Sequence, residues 1–290
     1  MKPRDIALAL AAPILWGIGF TFAKPALAQF PPMLMMVIIY ICTVAMLVGR
    51  KRPRTPLWPM LVIGACGGAL QSILIFSGLS HLPASTAVLV VQSQVPFAVL
   101  CAWLIGKERL SAARLVGIAI AIAGVALIAG APETVSDYPS LLLVVLGALA
   151  WAASQALVRV YGRDDGPTTT GMIGLVSAPL ALAGSLLFES DQWEALRTAT
   201  PSGWGSLAVL FLLGYVLAYS AWYRVLGRYR VDQVTPFILL MPIAGVITGA
   251  VALDEPLSPR VLIGGAVILV GLWIVVRVAP PLAPAAAAER

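Results

Sequence analysis

Apolar and polar positions do not alternate along this chain; they segregate into long apolar blocks separated by short polar joints. A run of about 20 apolar residues is what crosses a hydrocarbon core as helix. Ten such runs are present, at 6–23, 33–49, 58–80, 84–105, 112–130, 140–161, 168–188, 204–226, 233–253 and 260–277. The joints are short, carry most of the charge and leave no room for a soluble domain. The pattern predicts an all-α membrane protein with ten transmembrane helices.

Composition agrees. The chain is 60% hydrophobic and 11% charged, with a mean hydropathy of +0.95, more apolar surface than a soluble domain of this size can hide. The first run is longer than a secretory h-region and its pattern recurs later, so it reads as helix 1 and not as a cleaved signal. Residues 279–290, rich in Ala and Pro, predict a disordered tail. Cys42, Cys66 and Cys101 fall inside apolar runs without a CxxC pair and read as small core residues.

The net charge of +6 is a topology signal rather than a nucleic-acid one. With the N-terminus in the cytoplasm, 16 of the 19 Lys and Arg fall at the ends or in even-numbered connections, and only Lys24, Arg197 and Arg260 lie outside. That bias predicts both termini in the cytoplasm.

The chain repeats itself. "ERLSAARLVG" at 108–117 and "EPLSPRVLIG" at 255–264 match at Glu, Leu, Ser and Gly, and Gly124 and Gly271 come after them at equal spacing. "WGIGFTFAK" from Trp16 pairs with "WAASQALVR" from Trp151, and Pro96 pairs with Pro242. The repeats are placed at 1–131 and 132–278, five helices each. Five is odd, so the second copy must cross in the opposite sense, an inverted repeat of the kind found in secondary transporters.

These features together resemble the EamA family of the drug/metabolite transporter superfamily: a Trp-Gly start to helix 1, Pro in helices 4 and 9, and the Gly106-Lys107-Glu108 and Asp254-Glu255-Pro256 turns, each with "L-S" and a Gly-rich helix after it. The resemblance implies export of small metabolites or amino acids from bacterial cells, across the inner membrane. The aromatic, uncharged interior is most similar to the aromatic amino acid exporters of the YddG type. The small-molecule substrate and the lipid bilayer are then the partners, with no nucleic acid, and the protein is a monomer or weak homodimer. No cofactor or metal is expected.

The duplicated turns have a structural reading. Ser111 and Ser258 are placed to cap helices 5 and 10, Pro259 sits at the first helical position, and the glycines after them let these helices pack closely on a neighbour or form a dimer face. Glu108 and Glu255 lie at the membrane edge. Lys24 and Arg159, at equivalent helix ends, are expected to snorkel. Every acidic residue sits at a helix end or in a joint, which argues against a carboxylate proton relay and an obligatory coupling ion. His81, the only histidine, falls in the 3–4 turn and reads as solvated.

Uncharged polar groups and aromatics remain inside. Gln92, Ser93 and Gln94 interrupt helix 4, and Pro96 removes the hydrogen bond that would occupy the Gln92 carbonyl; Pro242 does the same for Ile238. Buried amides without partners cost on the order of 1–3 kcal/mol, so the segment is expected at a binding cavity. On an α-helix Gln92 and Gln94 stand about 200° apart, so one faces the cavity and the other a neighbouring helix; the free carbonyl favours Gln92 for the cavity. Around it the resemblance places Trp16 and Phe20 of helix 1, Ser72 and Phe76 of helix 3, Trp151 and Gln155 of helix 6, and Tyr215 and Tyr219 of helix 8. An intramembrane enzyme finds no nucleophile, base or metal cluster here, and a pure scaffold does not explain the Gln92–Gln94 segment.

Overall fold

Continuous apolar sequence leaves the backbone no partner but itself, and helices result wherever proline permits. In the computed structural model, which describes residues 1–49, 51–106, 111–130, 137–226, 229 and 235–277, the described residues form helices and joints without a strand. Ten helices account for the apolar runs. They are α1 (Pro3–Leu27), α2 (Pro32–Leu47), α3 (Leu57–His81), α4 (Ala84–Gly106), α5 (Ala112–Ala129), α6 (Tyr138–Tyr161), α7 (Gly166–Phe188), α8 (Pro201–Leu226), α9 (Thr235–Ala252) and α10 (Pro259–Arg277). A short helix, Gln192–Thr198, lies between α7 and α8.

The starts are legible in the sequence. Ser111 accepts the backbone N–H of Arg114 and Ser258 that of Val261, each at 3.3 Å, while Asp165 accepts Thr168 N–H at 3.1 Å. These are N-caps. Hydrogen bonds from Lys51 and from the side chain and amide of Thr168 hold the exposed Asp165 carboxyl down to about 2.

The halves share their irregularities as well as their motifs. A π-helical stretch interrupts α3 at Ala65–Leu70 and α8 at Leu210–Leu217, and a 3-10 turn interrupts α4 at Val91–Ser93 and opens α9 at Thr235–Leu239. Each 3-10 turn precedes a proline, Pro96 or Pro242. The tightened turn corrects the expectation of an open carbonyl in α4: the backbone N–H of Gln94 reaches the carbonyls of Val91 and Gln92.

Helices α5 and α10 lie against each other along their glycines. A Cβ on Gly117 would stand 2.9 Å from the Gly271 carbonyl oxygen, and one on Gly124 would stand 2.8 Å from that of Gly264. The glycine stripe is thus spent inside the molecule and is not a free dimer face. Lys24 does not snorkel: its ammonium donates to the carbonyls of Leu79, Ser80 and Leu82 at 3.0–3.3 Å, closing the C-terminus of α3. Cys101 is buried, whereas Cys42 and Cys66 are half-exposed rather than core. Glu108 and the 279–290 tail lie outside the described residues.

Contacts between joints sort them into two ends. Asp164 accepts the amides of Arg54 (2.7 Å) and Thr55 (3.1 Å), Lys51 pairs with Asp165, and Tyr229 donates to Asp5. At the other end, Gln29 accepts Thr200 N–H (2.7 Å), Glu255 accepts Ala84 N–H (2.6 Å), and Arg260 donates to the Gly130 carbonyl. Among the described residues these bonds join like-numbered ends only, as alternating crossings require.

Candidate functional site: a central aromatic cavity in two chambers

The helices that carry irregular turns surround a cavity at mid-chain depth. Its larger chamber holds about 600 Å³ of empty space counted to its open mouth. It is walled by Trp16, Gly19 and Phe20 of α1, Gln71, Ile75 and Phe76 of α3, Val91 and Gln94 of α4, Trp151 of α6, Leu210, Gly214, Tyr215 and Tyr219 of α8 and Met241 of α9. A second chamber of about 400 Å³ lies toward the end where α3 begins and α6 ends, walled by Tyr40, Thr43, Gly67, Gly68, Thr170, Ile173 and Gln155. Gln71, Trp151, Tyr215 and Tyr219 belong to both, and so form the partition between them.

The partition is braced by rings and hydroxyls. Trp16 meets Tyr219 edge-on at 5.0 Å between centroids, Tyr219 meets Tyr215 at 5.7 Å, and Tyr215 meets Tyr40 at 6.2 Å. The Tyr40 hydroxyl donates to the Gly68 carbonyl at 2.7 Å and bonds Ser72 at 2.6 Å, while Ser72 also contacts Gln71 at 3.2 Å and Tyr215 at 3.4 Å. The π-helical stretches put these groups where they are: Gln71 comes directly after one, and Tyr215 lies within the other. Extra residues per turn rotate the side chains beyond the bulge and leave backbone groups less regularly bonded, which is why such bulges concentrate at sites. Among the described residues no lining side chain of either chamber is charged, so these walls offer amide and hydroxyl hydrogen bonds and aromatic rings. Among the described residues no three His, Cys, Asp or Glu side chains come together as a metal site would need.

The sequence-predicted residues divide between the wall and the layer behind it. Trp16, Phe20, Phe76, Gln94, Trp151, Tyr215 and Tyr219 line the larger chamber, and Gln155 lines the smaller. Ser72, Gln92, Ser93, Pro96 and Pro242 line neither. Ser72 and Gln92 are fully buried, Ser72 as the hub of the hydroxyl network. The expected facing of the glutamines is reversed: Gln94 reaches the chamber and Gln92 stands behind, the two joined by a bond from Gln94 Nε2 to Gln92 Oε1 at 3.3 Å. The cause is the 3-10 turn. At about 120° per residue, rather than 100°, side chains two apart stand about 240° around the axis instead of about 200°, which by the shorter way brings them from about 160° to about 120° apart. Gln71, Tyr40, Thr43 and Thr170 were not anticipated. Gln71 carries the signal that exposed Gln92, a polar residue inside an apolar run, and it sits beside Ser72.

The model of the EamA-like transporter family matches this chain twice, over residues 4–130 and 139–277. The chain belongs to that family. Among relatives of this EamA-like chain, a "Probable amino-acid metabolite efflux pump" of Salmonella typhimurium is 29% identical over 94% of the chain and 95% of that protein. One of the same name from Escherichia coli is 27% identical over 94% and 95%. A "Probable terminal-alkyne amino-acid exporter" of Streptantibioticus cattleyicolor is 30% identical over 79% and 76%. A crystal structure 22% identical in sequence superposes with a TM-score of 0.66 over 94% of this chain and 96% of that one, which supports the fold alone. A multi-pass membrane transporter, not an enzyme, is the class these matches show.

Proposed function

We propose that this EamA-like transporter exports small neutral or zwitterionic metabolites, amino acids and aromatic ones among them, across the bacterial inner membrane. The two five-helix repeats, taken as 1–131 and 132–278, alternate access to the chambers between them, and both termini are cytoplasmic. The protein works as a monomer or weak homodimer. The observation that carries the reading is the cavity wall, in which, among the described residues, six aromatic rings and two glutamines stand without one charged side chain. Rings favour an apolar or aromatic substrate body, and amides hold a polar head at lower desolvation cost than ions would. The relatives named as amino-acid exporters support the same reading.

The test is uptake of a labelled amino-acid panel into liposomes containing purified protein. At least one amino acid is expected to move down its own gradient with no imposed proton or sodium gradient, and Gln71→Leu is expected to raise apparent KM or abolish the flux. Uptake no faster than in empty liposomes, across the whole panel, would sink the proposal.

A further inference from the structure

We infer that the larger chamber recognises its substrate by the ammonium group, with the side-chain carbonyl of Gln94 as acceptor and aromatic faces in place of an acid. This rests on the export reading for its biological setting, but on the geometry of the wall for its chemistry. An amide is two-sided, and a neighbour that takes one side fixes what the other shows. Gln94 donates Nε2 to the fully buried Oε1 of Gln92, so the amino group turns inward and Oε1 is left toward the chamber. Gln92 gains little for itself, since its own Nε2 has no hydrogen-bond partner in a buried place. A buried unpaired donor is costly. What the arrangement does provide is a fixed sign for Gln94, so Gln92 is a positioning residue.

Most of the rest of the wall agrees in sign; the exception is the buried, unpartnered Trp16 Nε1–H, a donor. Trp16, Trp151, Tyr215 and Tyr219 line the chamber, and the negative quadrupole of an aromatic face attracts a cation within about 6 Å. Among the described residues no Lys, Arg or His reaches either chamber to take a carboxylate. A substrate whose carboxyl is neutralised therefore keeps its recognition, and one whose amine is acylated loses it.

Binding is read as thermal stabilisation of the purified protein in detergent, which does not depend on transport. The probes are one transported amino acid, its methyl ester and its N-acetyl derivative, at about pH 6, where the free α-amines are charged. The ester is expected to bind within a few-fold of the amino acid, and the N-acetyl compound on the order of tenfold or more weaker. Gln94→Leu should weaken the amino acid and ester by a similar factor and leave the N-acetyl compound unchanged, whereas Gln94→Glu should tighten the ester. Gln92→Leu should narrow the gap between ester and N-acetyl compound without lowering the melting temperature of the free protein. An N-acetyl derivative that binds as well as the ester, or a Gln94→Leu variant that weakens all three alike, overturns the inference. Selective binding without transport instead overturns the export reading and leaves this one standing. If no parent-transported amino acid exists and none of the three compounds of phenylalanine binds, both fall.

Discussion

Glu255 stands in the joint between α9 and α10, yet its carboxylate serves another helix. Its two oxygens accept Ala84 N–H, Ser85 N–H and Ser85 Oγ–H at 2.6–2.9 Å, satisfying the first turn of α4. Lys24 closes the end of α3 one turn of chain away. Both helix ends at the turn of the α3–α4 hairpin, which carries Gln71 and Gln94, are thereby held by side chains from elsewhere. Glu255→Ala is expected to lower stability by about 2 kcal/mol, the scale of a lost cap reinforced by a charged acceptor. Thermal unfolding in detergent measures it, and an unchanged midpoint would show that the contacts are incidental. The sequence showed that Glu255 and Lys24 lie at the membrane edge but not what they hold, because those bonds span 171 and 55–58 residues. The glutamines teach the same limit differently. Their importance was readable from polarity in an apolar run, whereas their facing turned on a three-residue 3-10 turn that Pro96 hints at without specifying.

At the level of helices, the glycines of α5 and α10 announced close packing in the sequence, but a repeated motif cannot say which partner it meets. Here the two copies meet each other. A Cβ on Gly271 would come within 2.5 Å of the Ala121 nitrogen and 2.7 Å of the Gly117 oxygen, both backbone atoms that cannot turn aside. Gly271→Val is expected to force the pair apart at about 1–3 kcal/mol or more. Gly205, inside α8, has open space around it, so Gly205→Ala should leave stability unchanged or raise it by up to about 1 kcal/mol. Paired melting curves decide this: equal effects of the two substitutions would mean that helix propensity, not backbone approach, governs α10. The π-helical stretches of α3 and α8 were not legible at all. Their residues are as apolar as their neighbours, and the bulges arise from tertiary packing, such as Gly67 and Gly68 lying against Ser154 and Ser177.

For the whole molecule, apolar run length was enough to read ten helices, since the bilayer imposes it on any sequence, and the Lys/Arg bias is the support for the proposed orientation. The structure adds a check on the first that does not use charge. The 1–2, 3–4, 5–6, 7–8 and 9–10 joints are linked by Gln29, Lys24, Glu255 and Arg260, while Lys51, Arg54 and Thr55 of the 2–3 joint meet Asp164, Asp165 and Arg163 of the 6–7 joint. Two ends emerge from hydrogen bonds; only their assignment to cytoplasm and exterior rests on the 16 basic residues at one end and 3 at the other. With Cys42, Cys66 and Cys101 replaced by Ala, a cysteine at Glu194 should react with a membrane-impermeant thiol reagent in intact cells, and one at Lys51 only after the membrane is opened. Both positions are exposed, so a silent site reports sidedness and not burial. The reverse pattern would invert the orientation while leaving the fold intact. Labelling of both in intact cells would contradict the alternation of crossings itself, and with it the opposed sense of the proposed five-helix repeats on which the proposed alternating access depends.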